Sequence, residues 1–427
     1  MKKLLQNCQT AAGRLDILIA DEHYEKIAAA WEIAASEADE IIDLSEMVVI
    51  PTMTDPHVHV RDLQQSEKED WQSCSQAALS SGITTIFDMP NTVPPTTDWD
   101  SLKLKQQAAQ SSLIDYKLFL GADPQNIVGF DALLRNNPQN IAGIKLFLAA
   151  SSQNEIIDDK ITLRNLFLTA KEHNLVVAVH TELQECLDSN SFRPLDPTAV
   201  DHDKIRPREC AVAGTRLVLQ VAKEVGNKLV ICHVSSKEEL ELIAAAKAEG
   251  QQVYCEVTPH HLVLPSSLTT KIGNWAKVNP PLRDPEDNLA LLEGINQGCV
   301  DFIGTDHAPH LLQEKEQPYL AAPSGFPGVE TALPILIDLY LQAKITLQRL
   351  VEITSAKANE IYNIDNEIKK GNRANLVIID PAAREKISVE RFLSKAKYSP
   401  FAGREVQGKI SEVLYAGQAA HSYFEEK

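Results

Sequence analysis

Between about residues 48 and 345 short apolar runs alternate with longer stretches of helical spacing. The runs are "MVVIPTMTD", "GITTIFDMP", "DYKLFLGAD", "IAGIKLFLA", "LVVAVHTE", "KLVICHVS", "QQVYCEVTP" and "VDFIGTDHAP". Each is short enough for a strand and too uniformly apolar for a surface strand, the pattern of a parallel sheet covered on both faces. Between them lie amphipathic segments such as Glu238 to Gly250 and Asp287 to Gln297, which predict helices. Eight strand–helix units predict an α/β chain folded as a (β/α)8 TIM barrel. An open doubly wound sheet is the alternative, but no G-x-G-x-x-G follows the first run. The two ends differ. "RLDILIA", "ANLVIID" and "GKISEVLYAG" are extended runs separated by turn residues, and they predict a small β-domain built from residues 1–50 and 366–427. The barrel is then expected over 51–365.

Composition narrows the partners more than the fold. The chain has 427 residues, 44% hydrophobic and 23% charged, an ordinary globular balance. Lysine and arginine number 41 against 59 aspartates and glutamates, a net charge of −18 with no dense basic cluster. That argues against nucleic acid and anionic membranes as partners, and leaves room for an anionic small molecule in a local pocket. Seven scattered cysteines without a C-x-x-C pair make a disulfide framework unexpected and favour the cytoplasm. Neither a signal-peptide pattern nor a membrane-length apolar run is present in the sequence.

Candidate chemistry sits where the apolar runs end, the rim on which barrels of this kind carry their sites. His57 and His59 close the first run and share a face by alternation. Lys145 lies in the fourth, His180 ends the fifth, His233 the sixth, and Asp306, with His307 and His310, the eighth. Taken singly, each has an ordinary explanation: strand decoration, a snorkelling lysine, a helix cap. Together, four histidines, a lysine and an aspartate on one rim point to a metal site, and imidazole with carboxylate suits Zn²⁺. Such a set leaves two divalent ions short of negative charge. A buried lysine made neutral by nearby cations can react with CO₂, so carboxylated Lys145 is expected to bridge two zinc ions per chain.

The segments "DPHVHVRD", "MPNTVPPT", "GIKLFL", "CHVS", "EVTPHHL", "VNPPLRD", "GTDHAPH" and "GFPGVET" occur in an order that closely resembles the dihydroorotases of the amidohydrolase superfamily, in the branch with a carboxylated lysine. The resemblance implies that His57, His59 and Asp306 hold one zinc, that His180 and His233 hold the second, and that Lys145 bridges them. It implies that Asp306 is also the catalytic acid–base. It further implies a grip on the substrate carboxylate by Arg61 and Asn91 with His310 alongside, and ring-amide contacts from Asn279 and the Pro323 to Gly325 backbone. A planar guanidinium two residues beyond His59 suits that carboxylate independently. The implied reaction is the reversible cyclisation of N-carbamoyl-L-aspartate to L-dihydroorotate in pyrimidine synthesis, by a homo-oligomer, of which a dimer is one form. A cover loop is implied near Leu311 to Pro323.

A hydantoinase or allantoinase on the same scaffold is the nearest alternative. A non-catalytic dihydroorotase-like partner of aspartate transcarbamoylase is another. Two positions depart from the family's usual pattern: Leu63-Gln64 where Pro-Gly is common, and Ser324 where Phe is common. His260 and His261 are expected to support the site rather than form it. His23, His173, His202 and His421 fall outside the strand-end pattern and are expected to face solvent.

Overall fold

The computed structural model describes residues 1–136, 138–150 and 156–425. Five strands come first: β1 (Lys2–Thr10), β2 (Gly13–Ala20), β3 (His23–Ala29), β4 (Glu40–Asp43) and β5 (Val48–Pro51). Eight follow as β6 (Met53–Val58), β7 (Ile83–Asp88), β8 (Asp115–Gly121), β9 (Ile141–Phe147), β10 (Val176–His180), β11 (Lys228–Ile231), β12 (Val253–Val257) and β13 (Phe302–Ile303). The chain ends with β14 (Leu376–Lys386), β15 (Glu405–Tyr415) and β16 (Gln418–Ala419).

Strands β6 to β13 lie side by side in sequence order, every pair parallel. The ring closes where Val58 bridges His307 and the His59 N–H donates to the His307 carbonyl at 2.8 Å. A helix follows each strand, from Trp71–Ser80 after β6 to Val329–Leu341 after β13. The predicted helices appear as Lys237–Ala248 and Pro285–Gln297. Ser236 caps the first of these, accepting from the Glu239 N–H in a capping box. Two apolar layers result. Val177, Val179, Leu229 and Ile231 face the helices, while Val176, Ala178, Val230 and Cys232 fill the barrel with Phe87 and Phe119. Tyr362 packs edge-on against Phe87 at 4.7 Å in that same interior cluster.

The terminal segments form one separate sheet, ordered β16-β15-β14-β5-β1-β2-β3 with β4 beside β1. "MVVIPTMTD" is therefore not one strand. Val48–Pro51 pairs with Leu376–Ile379 of the terminal sheet, and only from Met53 does the run enter the barrel. A continuous apolar run cannot show which sheet each half joins when the partner lies more than 300 residues away. Thr52 marks the crossover, its hydroxyl 2.5 Å from that of Thr84. The cysteines also depart from expectation. Cys186 and Cys210 form a disulfide with Cα atoms 5.3 Å apart, joining helix Gln184–Ser189 to the start of helix Arg208–Val225. Their spacing in the sequence carried no sign of that proximity.

Candidate metal centre and active site

Strand parity sets which side chains enter the barrel mouth. Val58 packs outward, so His57 and His59 point inward. His180 has the parity of Val176 and Ala178, and Lys145 sits beside Ala178 in the parallel register. His233 and Asp306 leave their strands with positive φ, 37° and 49°, turning their side chains over the rim. The result is a cleft of about 230 Å³ lined by His57, His59, His180, His233 and Asp306, and by Arg61, Asn91, Asn279, His310, Pro323 and Gly325. Lys145 does not line it and is fully buried.

His57 Nε2 and His59 Nε2 lie 3.4 and 3.0 Å from Asp306 Oδ1. The three ligand atoms fall within 4.8 Å of one another, all buried. Across the cleft, His180 Nδ1 is 3.1 Å from His233 Nε2, and His233 Nδ1 is buried with no hydrogen-bond partner. Burial lowers the proton affinity of His59, to about 4, and that of His180 and His233. Neutral imidazoles are metal ligands. Burial opposes charge on Asp306 too, but His57, His59 and His233 hold it well below the usual carboxylate range. At His57 burial is outweighed by the carboxylates of Glu256 and Asp306, which lift its pKa to about 10. A buried place that favours a cation, ringed by nitrogen and carboxylate donors, fits a divalent metal. Lys145 donates to Cys232 Sγ at 3.1 Å and lies 5.0 Å from the Phe147 ring centre. Its charge lowers the proton affinity of His57, His180 and His233, which places it electrostatically among them.

Two carboxylates that the sequence reading passed over stand behind these histidines. Glu256 Oε1 meets His57 Nδ1 at 2.6 Å and accepts from the His233 N–H at 3.0 Å. Glu182 Oε2 meets His180 Nε2 at 2.9 Å and is gripped by Arg206 at 2.7 Å. Such partners fix the tautomer and orientation of a ligating imidazole. Asn91 does part of this work for His59, its Oδ1 lying 2.6 Å from His59 Nδ1 while it also lines the cleft. Glu256, Cys232 and His57 form a second cluster of metal-ligating types. There, however, His57 Nδ1 already faces Glu256, and Cys232 takes the Lys145 ammonium.

Elsewhere on the cleft wall Arg61 is buried with φ 70°, its Nε donating to the Pro309 carbonyl at 3.1 Å. Its Nη2 donates to His310 Nε2 at 3.1 Å. Burial and the charge of Arg61 push the His310 pKa down to about 3, leaving it neutral and able to accept. Among the described residues no carboxylate pairs with Arg61. Asp62 next to it is held by Trp71 Nε1 at 2.7 Å and by buried Lys105 at 2.5 Å, and Lys105 also pairs with Asp88. The unusual Leu63 sits at φ 48°. The unusual Ser324 donates from its hydroxyl to Asn279 Oδ1 at 3.1 Å, tying two cleft-lining segments together. His202 is not at the surface. It is buried, 2.7 Å from the Tyr319 hydroxyl and 3.0 Å from Asn279 Oδ1, because the short helix His202–Ile205 packs its first residue against Val278, Asn279 and Tyr319. His173 is half-buried against Asp131 at 2.9 Å, whereas His23 and His421 are exposed.

A closed parallel barrel with histidines and an aspartate gathered at the carboxyl ends of its strands defines the class: a barrel hydrolase that works with a bound metal. The amidohydrolase family model matches residues 48–420, and the chain belongs to that family. A dihydroorotase of Methanosphaera stadtmanae is 33% identical over 417 residues, covering 95% of this chain and 93% of that one. A dihydroorotase of Carboxydothermus hydrogenoformans is 34% identical over 385 residues, covering 90% and 88%. Among solved structures, the L-hydantoinase (dihydropyrimidinase) of Arthrobacter aurescens superposes with a TM-score of 0.89 at 28% identity, covering 98% of this chain and 95% of that one.

Proposed function

We propose that this chain is a hydrolase of cyclic amide C–N bonds that interconverts N-carbamoyl-L-aspartate and L-dihydroorotate, the dihydroorotase reaction of pyrimidine synthesis. The observation that carries this reading is Arg61: a buried guanidinium at the cleft with no carboxylate partner among the described residues. The dihydroorotate carboxylate supplies that partner, whereas hydantoin has none to offer. His310 and Asn91 flank the same position, and Asn279 with the 323–325 backbone faces the ring amides.

His57, His59 and Asp306 would hold one zinc ion, and His180 with His233 a second. Lys145 would bridge them as its carbamate, formed when the neutral amine adds CO₂ and releases a proton. When bound, the ions supply Lewis acidity toward the amide carbonyl and acidify water enough for attack near neutral pH. Asp306, kept ionised by its three histidines, takes the proton of the attacking water. It then delivers that proton to the ring nitrogen as the C–N bond breaks. In the synthetic direction it begins as the base for the ureido nitrogen. Glu256 and Glu182 keep the imidazoles of His57 and His180 in the orientation this requires. The same reading takes residues 1–50 with 366–427 and residues 51–365 as the two domains, and expects a cytoplasmic homo-oligomer. Among the described residues no helix is long and apolar enough to cross a membrane. The partner-scaffold alternative is disfavoured because all six ligand positions are filled.

The experiment is hydrolysis of dihydroorotate, with hydantoin and allantoin as comparison substrates and zinc measured on the same sample. Turnover confined to dihydroorotate is expected. Arg61→Met should lower its kcat/KM by about a hundredfold or more, the scale of losing one partner of a buried charge pair. Undiminished turnover by Arg61→Met, or a preference for hydantoin, would return the reading to a hydantoinase.

A further inference from the structure

Among the described residues three lysines besides Lys145 are buried, and two of them lack what a buried ammonium usually has. Lys105 lies between the carboxylates of Asp62 and Asp88. Lys277 and Lys315, 7% and 1% exposed, have no carboxylate partner among the described residues. Each donates only to main-chain carbonyls. Lys277 Nζ reaches the carbonyls of Tyr319 at 2.7 Å and Ala322 at 2.5 Å, and sits 4.2 Å from the Tyr319 ring centre. Lys315 Nζ reaches those of Pro323 at 2.9 Å and Gly325 at 2.8 Å, with that of Lys277 at 3.4 Å. A buried ammonium costs several kcal/mol in desolvation unless its protons are satisfied. Here, apart from the longer contact of Lys315 with the Lys277 carbonyl, the partners all lie in one irregular stretch, 319–325.

Side chains hold that stretch at two other points. The Tyr319 hydroxyl lies 2.7 Å from His202 Nδ1, and Ser324 donates from its hydroxyl to Asn279 while its carbonyl lies 3.0 Å from His310 Nε2. The lysines thus carry most of its main-chain carbonyl bonds. The stretch belongs to no helix or strand, and Pro318 and Pro323 have no N–H to give. Its own main chain supplies only the turn bonds from Ala321 and Ala322 to Pro318, and one bond from Gly325 to the Lys277 carbonyl. Yet its other face lines the cleft through Pro323, Ser324 and Gly325. Gly325 stands at φ 118°, where a Cβ would come within 2.7 Å of the Ala308 Cβ, so the wall tolerates little displacement.

We propose that Lys277 and Lys315 are positioning residues for substrate, two buried pegs whose Nζ groups fix the 319–325 wall so that its backbone meets the ring amides. The proposal rests on the reading of 323–325 as a substrate contact. Misplacing the wall weakens the grip on the ring while leaving the metal ligands and Asp306 untouched, so the effect belongs in KM.

The test measures kcat, KM and zinc content for Lys315→Met and Lys277→Met in the metal-loaded enzyme. Methionine keeps the stem and removes the donors. A KM for dihydroorotate raised about tenfold, kcat within about threefold of wild type and unchanged zinc are expected. Wild-type KM in a folded, zinc-loaded Lys315→Met would overturn the proposal, as would equal loss in kcat and zinc. Hydrogen exchange on the wild-type enzyme without substrate needs no variant. Protection of the Ala321, Ala322 and Gly325 amides is expected, and complete exchange at the earliest time would also overturn it. A wild-type enzyme inactive on dihydroorotate would instead defeat the underlying functional reading, a separate result.

Discussion

The two halves of the barrel rim hold similar residues but are built differently. On one side His57 and His59 already share the Asp306 carboxylate, with Nε2 atoms 3.4 and 3.0 Å from one oxygen. On the other, His180 and His233 face each other at 3.1 Å, and the nearest carboxylate, Glu182, stands behind His180 paired with Arg206. Lys145 adds positive charge to both halves, lowering the proton affinity of His180 and His233 and also that of His57. One half shares the Asp306 carboxylate, whereas in the other the carboxylate beside His180 is already paired with Arg206. A carboxylated Lys145 would make up the difference, which is the physical argument for that modification.

The two halves should therefore fail differently. Asp306→Asn removes the built-in anion and the proton carrier together. It should cost about a thousandfold in kcat, the scale of positioned acid–base catalysis, and release metal from the His57 half. Steady-state rates with metal analysis on the same sample check this, and activity within tenfold of wild type would remove Asp306 from the proton path. Lys145→Met should cost about a hundredfold, from loss of several kcal/mol of charge stabilisation. Here the loss should fall on the second half, leaving about half the metal. Wild-type enzyme stripped by a chelator should regain activity with zinc faster when bicarbonate is present. Equal recovery with and without bicarbonate would mean that the second half needs no carbamate.

The alternation of short strands made much of this visible beforehand. Alternation put His57 and His59 on one face, and their place in or at the ends of apolar runs drew Lys145 and His180 to the same rim. Glu182 was open to the same rule, lying two residues beyond His180 in "HTE". Glu256, a lone acid in the apolar run "VYCEV", carried a weaker sign, since a buried glutamate is rarely without a partner. Other contacts left no local trace. His202 meets Tyr319 across 117 positions, and Lys315 bonds to carbonyls, which every residue has. Contacts made through main chain or distant loops depend on the folded path, and hydrophobic periodicity does not encode that path.

The smallest effects should come from the supporting carboxylates. Glu256→Gln and Glu182→Gln should each weaken metal binding roughly 10- to 100-fold, the usual cost of removing a ligand's hydrogen-bonded partner. Each should act on its own half, which competition with a metal-binding dye can follow in two phases. The two variants also separate in stability. Burial works against ionised Glu182, but Arg206 and His180 hold its pKa below the usual carboxylate range. Because the folded value lies below the unfolded one, the stabilisation is present above the unfolded pKa and fades as pH falls through the folded one. Glu182→Gln, which leaves Arg206 without its partner, should therefore lose about 2–3 kcal/mol at neutral pH. The gap to wild type should narrow as the medium becomes acidic, read by denaturant unfolding across that range. A gap independent of pH would mean that Glu182 holds His180 by shape and hydrogen bonding, with its charge contributing nothing.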